Sequence, residues 1–294
     1  MSETLPAIVE FAEVLPAISQ AASDAHLIAL WVGRHESPNT RRNYRRQAER
    51  FLNHVRRPLA FVTIGDLQAY LATLEGQAPA TRANATAALK SFLSFAHEIG
   101  YIPFNVGRVM KAPPVKNRLA ERILNEPDVL RMIAIEPKLR NRVLLTLLYG
   151  AGLRISEACG LHWRDLAERD RAGQATVFGK GGKTRVILLS ANTWRLVQEL
   201  RSGAGPDDPV FRSREGGTLD PSQVHRIVKA AAERAGLSPE VSAHWLRHAH
   251  ASHSLERGAP IHLVQATLGH ASVATTGRYL HARPSDSSAR YLGV

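Results

Sequence analysis

Cysteine is almost absent from this chain of 294 residues. The single thiol, Cys159, cannot form a disulfide within the chain, so we expect the reducing cytosol to be its compartment. Long uninterrupted apolar runs are also missing, and the first 18 residues, MSETLPAIVEFAEVLPAI, carry acidic rather than basic charge. They fit neither a signal peptide nor a membrane anchor. These absences predict a cytoplasmic protein with no membrane partner.

Acidic side chains are the other scarce group, since 26 Asp and Glu stand against 38 Lys and Arg, for a net charge of +12. Such a charge favours polyanionic partners, nucleic acid first, because binding releases condensed counterions. Ribosomal and membrane-surface proteins can carry the same charge, so composition alone leaves the partner open. Hydrophobic residues at 44% and charged residues at 22% are typical of a folded protein, and the length suffices for two domains.

The first third of the chain has the periodicity of a small helical bundle. Ser37 and Pro38 fit the N-cap and first position of a helix whose apolar residues recur at helical spacing as far as Val55. Two more amphipathic helices follow, and Gly100 fits the end of the last one. The first helix also carries a basic face, which is either solvated or in contact with phosphate: Arg41, Arg42, Arg45, Arg46 and Arg50.

A stretch without periodicity, Phe104 to Arg122, contains a Pro-Pro pair and scattered cations, which is typical of an inter-domain linker. Beyond it, helical patterns are interrupted once by two β-branched runs, ATVFGK and TRVILLS, with Lys180 and Lys183 beside the glycine turn between them. We therefore predict a mainly α protein with a small antiparallel β-sheet. The expected divisions are an extension at 1–19, a helical domain at 20–108, a linker at 109–121 and a second domain at 122–294.

Four local patterns in the second domain carry reactive or charged groups, and each is ambiguous alone. They are GLRISEACGLHW at 152–163, GKGGKTR at 179–185, HWLRHAHASH at 244–253 and LGHASVATTGRYLH at 268–281. Arg154 and Glu157 are one turn apart, which is also the spacing of an ordinary ion pair at a helix end. His244, Arg247 and His248 share a helix face, so two of them could grip one phosphate.

Two competing interpretations fit the sequence less well. Histidines four residues apart can share a zinc ion, but HExxH is absent and the lone cysteine offers no paired thiolate, so we expect no metal site. GKGGKT suggests a P-loop, yet the first glycine of that motif would fall on Val177 and the chain continues as a strand. The sequence therefore predicts neither a metal nor a nucleotide cofactor.

Taken together, the four patterns resemble the tyrosine recombinase family, whose signature runs Arg, Lys, His-x-x-Arg, His, Tyr. The matching residues occur in that order: Arg154, Lys180, His244, Arg247, His270 and Tyr279. The resemblance covers nearly the whole chain, since the N-terminal helices look like the family's core-binding domain. It implies a two-domain clamp on duplex DNA, made of a helical core-binding domain and a mixed α/β catalytic domain.

The resemblance implies a site-specific recombinase that cleaves and rejoins DNA through a covalent 3′-phosphotyrosine, with Tyr279 as the nucleophile. The two signature arginines would hold the phosphate oxygens, because a guanidinium pair neutralises an anion with fixed geometry. By resemblance, His244 accepts the proton of Tyr279, His270 binds the transition-state phosphate and Lys180 protonates the departing 5′ oxygen. No ATP or divalent metal is expected.

Supporting and DNA-binding groups are indicated less sharply. We expect Glu157 to orient Arg154 or its neighbours, and His248 to support the site by packing within its helix rather than by reacting. Single surface cations carry little information individually. The expected DNA contacts are Arg41, Arg45, Thr81, Arg82, Lys90, Lys183 and Arg185.

The resemblance also implies an assembly of four protomers on two DNA sites, with a second recombinase or an accessory protein as a further partner. The segment after His281 is expected to dock on a neighbouring protomer. Within the family, the chain is most similar to the Xer-like type that resolves chromosome or plasmid dimers, because it lacks a basic amino-terminal domain; we expect association with the nucleoid. An integrase or excisionase of a phage or mobile element, a type IB topoisomerase and a catalytically silent DNA-binding regulator stay as alternatives.

Overall fold

The computed structural model describes residues 21–111, 114, 118–179 and 182–280. The chain divides into two compact units, Met1–Lys116 and Asn117–Val294, and each encloses a hydrophobic core of its own. The N-terminal extension expected at 1–19 and the segment after His281 lie outside the described residues. Within the described ranges, no helix combines the length and the apolar character that crossing a membrane requires.

The described residues of the N-terminal unit form a bundle of four α-helices: α1 (Asp24–Gly33), α2 (Pro38–Val55), α3 (Ile64–Ala72) and α4 (Pro79–Glu98). The Ser37 hydroxyl accepts a hydrogen bond from the amide of Thr40 and Pro38 is the first residue of α2, so the predicted helix start is confirmed. The centre of the bundle is aromatic, since Trp31 stacks on Tyr44 at 4.7 Å and meets Phe92 at 4.9 Å. Buried aromatic pairs of this kind stabilise a small domain beyond their buried area.

The stretch predicted as a linker contributes to both cores. Val106 and Met110 are buried against the N-terminal helices, and the carbonyl of Met110 accepts a hydrogen bond of 2.9 Å from Lys90 Nζ. Leu119 and Ile123 are buried in a cluster of the C-terminal unit. The described ends of this stretch form short turns, and each end packs on the core of its own unit. Because its apolar residues follow no helical or strand period, the sequence did not indicate that they are buried.

In its described residues, the C-terminal unit is a helical assembly with a small sheet. Its elements are α5 (Glu126–Ala134), α6 (Leu139–Gly150), α7 (Ile155–Cys159), β1 (Leu166–Arg169), β2 (Ala172–Phe178), β3 (Thr184–Leu189), α8 (Ala191–Arg201), α9 (Pro221–Arg234), α10 (Ala243–Glu256), α11 (Ile261–Leu268) and α12 (Val273–Gly277). Helix α6 lies between α8 and α10 and buries Val143, Leu144 and Leu147. A buried central helix fixes the positions of the helices around it. One of these, α10, carries the signature residues His244 and Arg247 and the neighbouring His248.

The sheet is antiparallel in the order β1-β2-β3, so the predicted hairpin is confirmed, although Lys180 and Gly181 at its turn lie outside the described residues. Ala175 pairs with Ile187 on one side and Leu166 on the other, and all three are buried. Strand β1 was not predicted, because LAER offers a single inward apolar residue and no alternation. The fold class, mainly α with a small antiparallel sheet, is confirmed.

Replacing Gly173 with Ala is expected to destabilise the C-terminal unit. A Cβ at this position would lie 2.2 to 2.4 Å from ring carbons of Trp194, which covers β2. Overpacking of this kind costs about 1–3 kcal/mol, so the thermal midpoint of that unit should fall. Gly150→Ala is the matched control, because its Cβ would meet only Thr193 Oγ1 at 3.8 Å. Equal midpoints for the two variants would contradict the packing described here.

Candidate active site

Five residues of the predicted signature lie in the described part of the C-terminal unit, on three neighbouring segments. Arg154 is the N-cap residue of α7, His244 and Arg247 lie on α10, and His270 and Tyr279 follow α11 and α12. Their local conformations follow from the sequence around them, as in α12, where the Ser272 side chain caps the helix by accepting from Ala274 N. The sixth signature residue, Lys180, lies outside the described residues.

Three consecutive carbonyls at the end of α11 each accept a hydrogen bond from a different arginine. Thr267 O accepts from Arg185 Nε at 2.7 Å, Leu268 O from Arg247 Nη2 at 2.5 Å, and Gly269 O from Arg154 Nη2 at 3.2 Å. The last carbonyls of a helix have no partner within it and form the negative end of the helix dipole. The end of α11 therefore collects three guanidinium groups.

Gly269 makes this convergence possible. It adopts a left-handed conformation with φ +61°, and a Cβ there would lie 3.2 Å from both Cδ and Nη1 of Arg185. A side chain would thus be strained and would press on the guanidinium. The left-handed backbone and the nearby Arg185 side chain therefore explain why the LGH pattern has a glycine at position 269.

Arg247 is almost completely buried, with 3% of its surface exposed. Besides Leu268 O, it donates to the carbonyl of Gly152, so two backbone segments hold it. Burial and the neighbouring Arg154 lower the pKa of Arg247 to about 10, which leaves it charged at neutral pH. A fixed buried cation of this kind is preorganised for an anion.

Glu157 lies beneath these arginines, with 2% of its side chain exposed. It accepts from the backbone amide and Nη1 of Arg154, both at 2.8 Å. Arg185 adds a bidentate contact, Nη1 to Oε1 at 2.7 Å and Nη2 to Oε2 at 2.9 Å. Burial alone would raise the pKa of Glu157, but the bonds from Arg185 and Arg154 lower it to about 2.

The expectation that Arg185 contacts the DNA backbone conflicts with this geometry. All three of its guanidinium nitrogens donate to protein acceptors, and only 13% of its side chain is exposed. Arg185 therefore links β3, α7 and the end of α11. Its place next to a lysine-bearing hairpin turn made it look like a surface cation, and no local pattern pointed to its distant partners.

Tyr279 is buried to 6% exposure, in an apolar cluster formed by Leu119, Ile123, Ala251, Val264 and Leu268. Its hydroxyl lies 2.7 Å from His248 Nδ1, and its ring is parallel to that of His270 with centroids 6.5 Å apart. Burial raises the pKa of Tyr279 above its usual value of 10, while Arg247 and Arg278 act in the opposite direction. The phenol therefore keeps its proton in the free protein.

The histidines around the tyrosine differ in environment. His270 Nδ1 is 2.9 Å from the hydroxyl of the fully buried Thr276, and burial followed by the charge of Arg247 lowers the pKa of His270 to about 4. Burial and the adjacent His244 lower the pKa of His248 to about 3. His270 and His248 are therefore neutral at physiological pH. Thr276 was missed from the sequence because a threonine in a short helix carries no signal of its own.

His244 and His248 stand edge to face with ring centroids 4.3 Å apart. His244 is exposed and lines a cavity of about 240 Å³ together with Arg122, Glu240, Ser242 and Trp245. The residue in contact with the tyrosine hydroxyl is thus His248, which the sequence analysis treated as a packing residue. Their spacing placed both on one face of α10 but could not tell which of them reaches Tyr279.

The remaining candidate DNA contacts lie in varied surroundings and stay predictions. Arg45, Thr81 and Lys183 are exposed and Arg82 is partly buried. Arg41 is exposed, but its Nε donates to the carbonyl of His35, and the amine of Lys90 is bound to Met110 O. Across the residues with assigned positions, no group of three or more His, Cys, Asp and Glu side chains has the arrangement of a metal site.

A buried phenol hydrogen-bonded to a neutral imidazole, close to two anchored guanidinium groups, suits nucleophilic attack on a phosphate diester. On a mainly helical two-domain fold, this arrangement defines the class of tyrosine recombinases. The chain belongs to the phage integrase family, whose model matches residues 121–286, and the family's N-terminal SAM-like domain matches residues 24–99. It is an enzyme of site-specific DNA recombination, which cleaves and rejoins DNA.

Two curated relatives of the Xer type show the similarity in sequence. Tyrosine recombinase XerC of Myxococcus xanthus is 35% identical over 268 residues, covering 83% of this chain and 87% of that protein. Tyrosine recombinase XerD of Corynebacterium glutamicum is 33% identical over 279 residues, covering 87% of this chain and 91% of that protein. The recombinase is therefore Xer-like in sequence.

Solved structures share the fold. XerH recombinase bound to its difH substrate, in a pre-cleavage complex, superposes with a TM-score of 0.71 at 23% identity, covering 88% of this chain and 82% of that chain. A lambda integrase (75–356) dimer bound to a COC′ core site gives a TM-score of 0.74 at 21% identity, covering 90% and 95%. Both of those structures contain DNA.

Arg185→Gln is expected to destabilise the C-terminal unit by about 3–5 kcal/mol, because it leaves a buried carboxylate short of a partner. The folded pKa of Glu157, about 2, lies below its ordinary 4.5, so its contribution is complete above pH 4.5 and is lost as the pH falls towards 2. Denaturant unfolding at pH 7 and pH 3 should show the difference between wild type and variant shrinking at the lower pH.

Arg164→Gln is the matched control for this experiment. Arg164 pairs with Asp207 at 2.7 Å, but the two side chains are 62% and 83% exposed. Exposed pairs contribute about 0–1 kcal/mol, so this variant should unfold nearly as wild type does. An equal loss in the two variants would show that Arg185 is an ordinary surface cation.

Proposed function

We propose that Tyr279 attacks a phosphodiester of duplex DNA and forms a covalent 3′-phosphotyrosine with a free 5′ hydroxyl. The observation that carries the proposal is the 2.7 Å contact of the Tyr279 hydroxyl with a neutral imidazole, on the helix that also holds the buried Arg247. The Tyr279 oxygen gains a bond to phosphorus while the bond from phosphorus to the 5′ oxygen breaks. A 5′ hydroxyl of a partner strand can reverse the step, because the new ester conserves the energy of the old one.

Arg154 and Arg247 are proposed to bind the non-bridging oxygens of the scissile phosphate. Arg247 is fixed by two carbonyls, and Arg154 by Glu157 and Gly269 O, so neither guanidinium needs to reorganise when charge develops. The side chain of Arg154 remains 38% exposed, which leaves part of it open to a ligand. The positive pair takes the place that a metal would occupy in other phosphoryl transferases.

The remaining signature residues complete the proposal. His270, held by the Thr276 hydroxyl, donates a hydrogen bond to the phosphate in the transition state. Lys180, outside the described residues, protonates the departing 5′ oxygen. Glu157 acts through Arg154 and is a positioning residue. Exposed cations of the N-terminal unit, Arg45 among them, contact the DNA backbone and add affinity without sequence information.

The biological reaction we propose is resolution of chromosome or plasmid dimers by four protomers on two DNA sites, as the Xer-like sequence suggests. An integrase of a mobile element would use the same chemistry on a different target. The two are separated by the target itself, so candidate sites from the chromosome and from neighbouring mobile elements should be tested in parallel.

Incubation with nicked suicide duplexes that carry candidate sites should produce a covalent adduct on a denaturing gel. Tyr279→Phe should abolish the adduct while it keeps DNA binding, because the substitution removes only the nucleophilic oxygen. The adduct should persist in EDTA, since two arginines supply the charge compensation. Binding without an adduct, on substrates that trap a control recombinase, would instead identify a silent DNA-binding regulator.

Assembly on DNA offers a separate prediction. Removal of residues 282–294 should leave binding of one site intact and should reduce the complex of four protomers and two sites, because that segment is proposed to dock on a neighbouring protomer. Mass photometry of both proteins with a two-site duplex measures this. Unchanged assembly after the deletion would refute docking of the segment.

A further inference from the structure

We propose that His248 is a catalytic residue that accepts the proton of Tyr279 during attack and that His244 passes this proton on to solvent. The inference rests on the proposed function and assigns the proton to a different histidine from the one that the family signature suggests. Its basis is the contact between His248 Nδ1 and the Tyr279 hydroxyl.

The contact has the geometry of a strong hydrogen bond. Its length of 2.7 Å is at the short end for a phenol and a ring nitrogen, and the two rings are tilted by 48° with centroids 5.6 Å apart. Because an imidazole nitrogen is a better acceptor than a phenol oxygen, Tyr279 donates and His248 Nδ1 accepts. His248 then carries its own hydrogen on Nε2.

The position of His248 is fixed by the same helix that holds the phosphate-binding arginine. His248 follows Arg247 directly in α10, and Arg247 is anchored to the carbonyls of Gly152 and Leu268. A rigid helix therefore sets the distance between the cation that receives the phosphate and the imidazole that holds the nucleophile. Attack needs such alignment, since small misplacements of reacting atoms cost large factors in rate.

The exit route that we propose for the proton runs along the edge-to-face pair of histidines. His244 is exposed, and its ring centroid lies 4.3 Å from that of His248, one turn away on α10. During attack the O–H bond of Tyr279 breaks, the proton moves to His248 Nδ1 and the oxygen bonds to phosphorus. The departing 5′ oxygen takes its proton from a separate acid, so the two transfers balance.

The charged groups that face His248 and Tyr279 explain when this transfer becomes favourable. His244 and Arg247 approach from α10, Arg122 from the turn before α5, and Arg278 from the residue next to the tyrosine. Burial and these groups hold the pKa of His248 low in the free protein, which keeps the imidazole free to accept. A bound phosphate offsets the nearby cations, so the basicity of His248 increases once DNA is present.

His248→Asn tests the proposal, because Asn can still accept a hydrogen bond near the Nδ1 position and cannot take a proton. Single-turnover cleavage of a suicide duplex should fall about 100-fold, which is the lower end for loss of a general base, while DNA affinity stays unchanged. Incorporation of difluorotyrosine at position 279, whose phenol is more acidic, should restore most of that rate. His262→Asn, the same change at an exposed histidine of α11, is the control and should cleave at the wild-type rate.

The rival assignment of His244 as the base predicts the reverse pattern, in which difluorotyrosine restores His244→Asn and does nothing for His248→Asn. That pattern, or wild-type cleavage by His248→Asn, overturns the proposal.

A measurement without any substitution is the ¹⁵N chemical shift of His248 in the full chain. It should show hydrogen on Nε2 alone, and hydrogen on Nδ1 would overturn the proposal even if the variant did not fold. Absence of a covalent adduct with the unmodified protein would overturn the proposed function itself.

Discussion

The end of helix α11 is the constraint on which the site depends. Its last carbonyls face no partner within the helix, and three arginines from different segments donate to Thr267, Leu268 and Gly269 in turn. Without compensating charge, the three guanidinium groups would repel one another, because they bind consecutive carbonyls. The carbonyl dipoles and one carboxylate, Glu157, offset that repulsion. The site therefore assembles around the end of a helix that itself carries no charged side chain in its last turn.

The three arginines have different tasks because their surroundings differ. Each guanidinium nitrogen of Arg185 donates to Glu157 or to Thr267 O, so this arginine stabilises the frame of the site. Arg247 is buried and bound to carbonyls, while Arg154 remains partly exposed. Arg154 and Arg247 are thus the two cations proposed to bind the phosphate, and Arg185 stabilises the frame that positions them. Burial and hydrogen-bond partners, rather than residue type, separate the structural arginine from the proposed phosphate ligands.

The sequence predicted the parts of this arrangement that local patterns encode. The Ser37 cap and the hairpin follow from spacing and turn chemistry, whereas the ordered residues from Arg154 to Tyr279 were recognised by their resemblance to a family signature. Periodicity places His244 and His248 on one helix face, but the direction of each side chain depends on what packs against it. The role of Arg185 depends on partners that lie 28 or more residues away in the sequence. The role of Thr276 depends on its burial in a short helix, next to His270. Neither role could be predicted from the local sequence.

An active site built from cations must keep its imidazoles uncharged until its substrate arrives. Burial next to Arg247 and Arg154 lowers the basicity of His270, and burial beside His244 and Arg122 lowers that of His248. Burial, together with the charge of Arg154, also lowers the pKa of Arg247. A phosphate placed between the two guanidinium groups would offset the contribution of the cations to all three shifts. In the proposed mechanism, substrate binding and activation of the tyrosine are therefore one electrostatic event, in which the anion that is to be attacked raises the basicity of the imidazole that receives the proton.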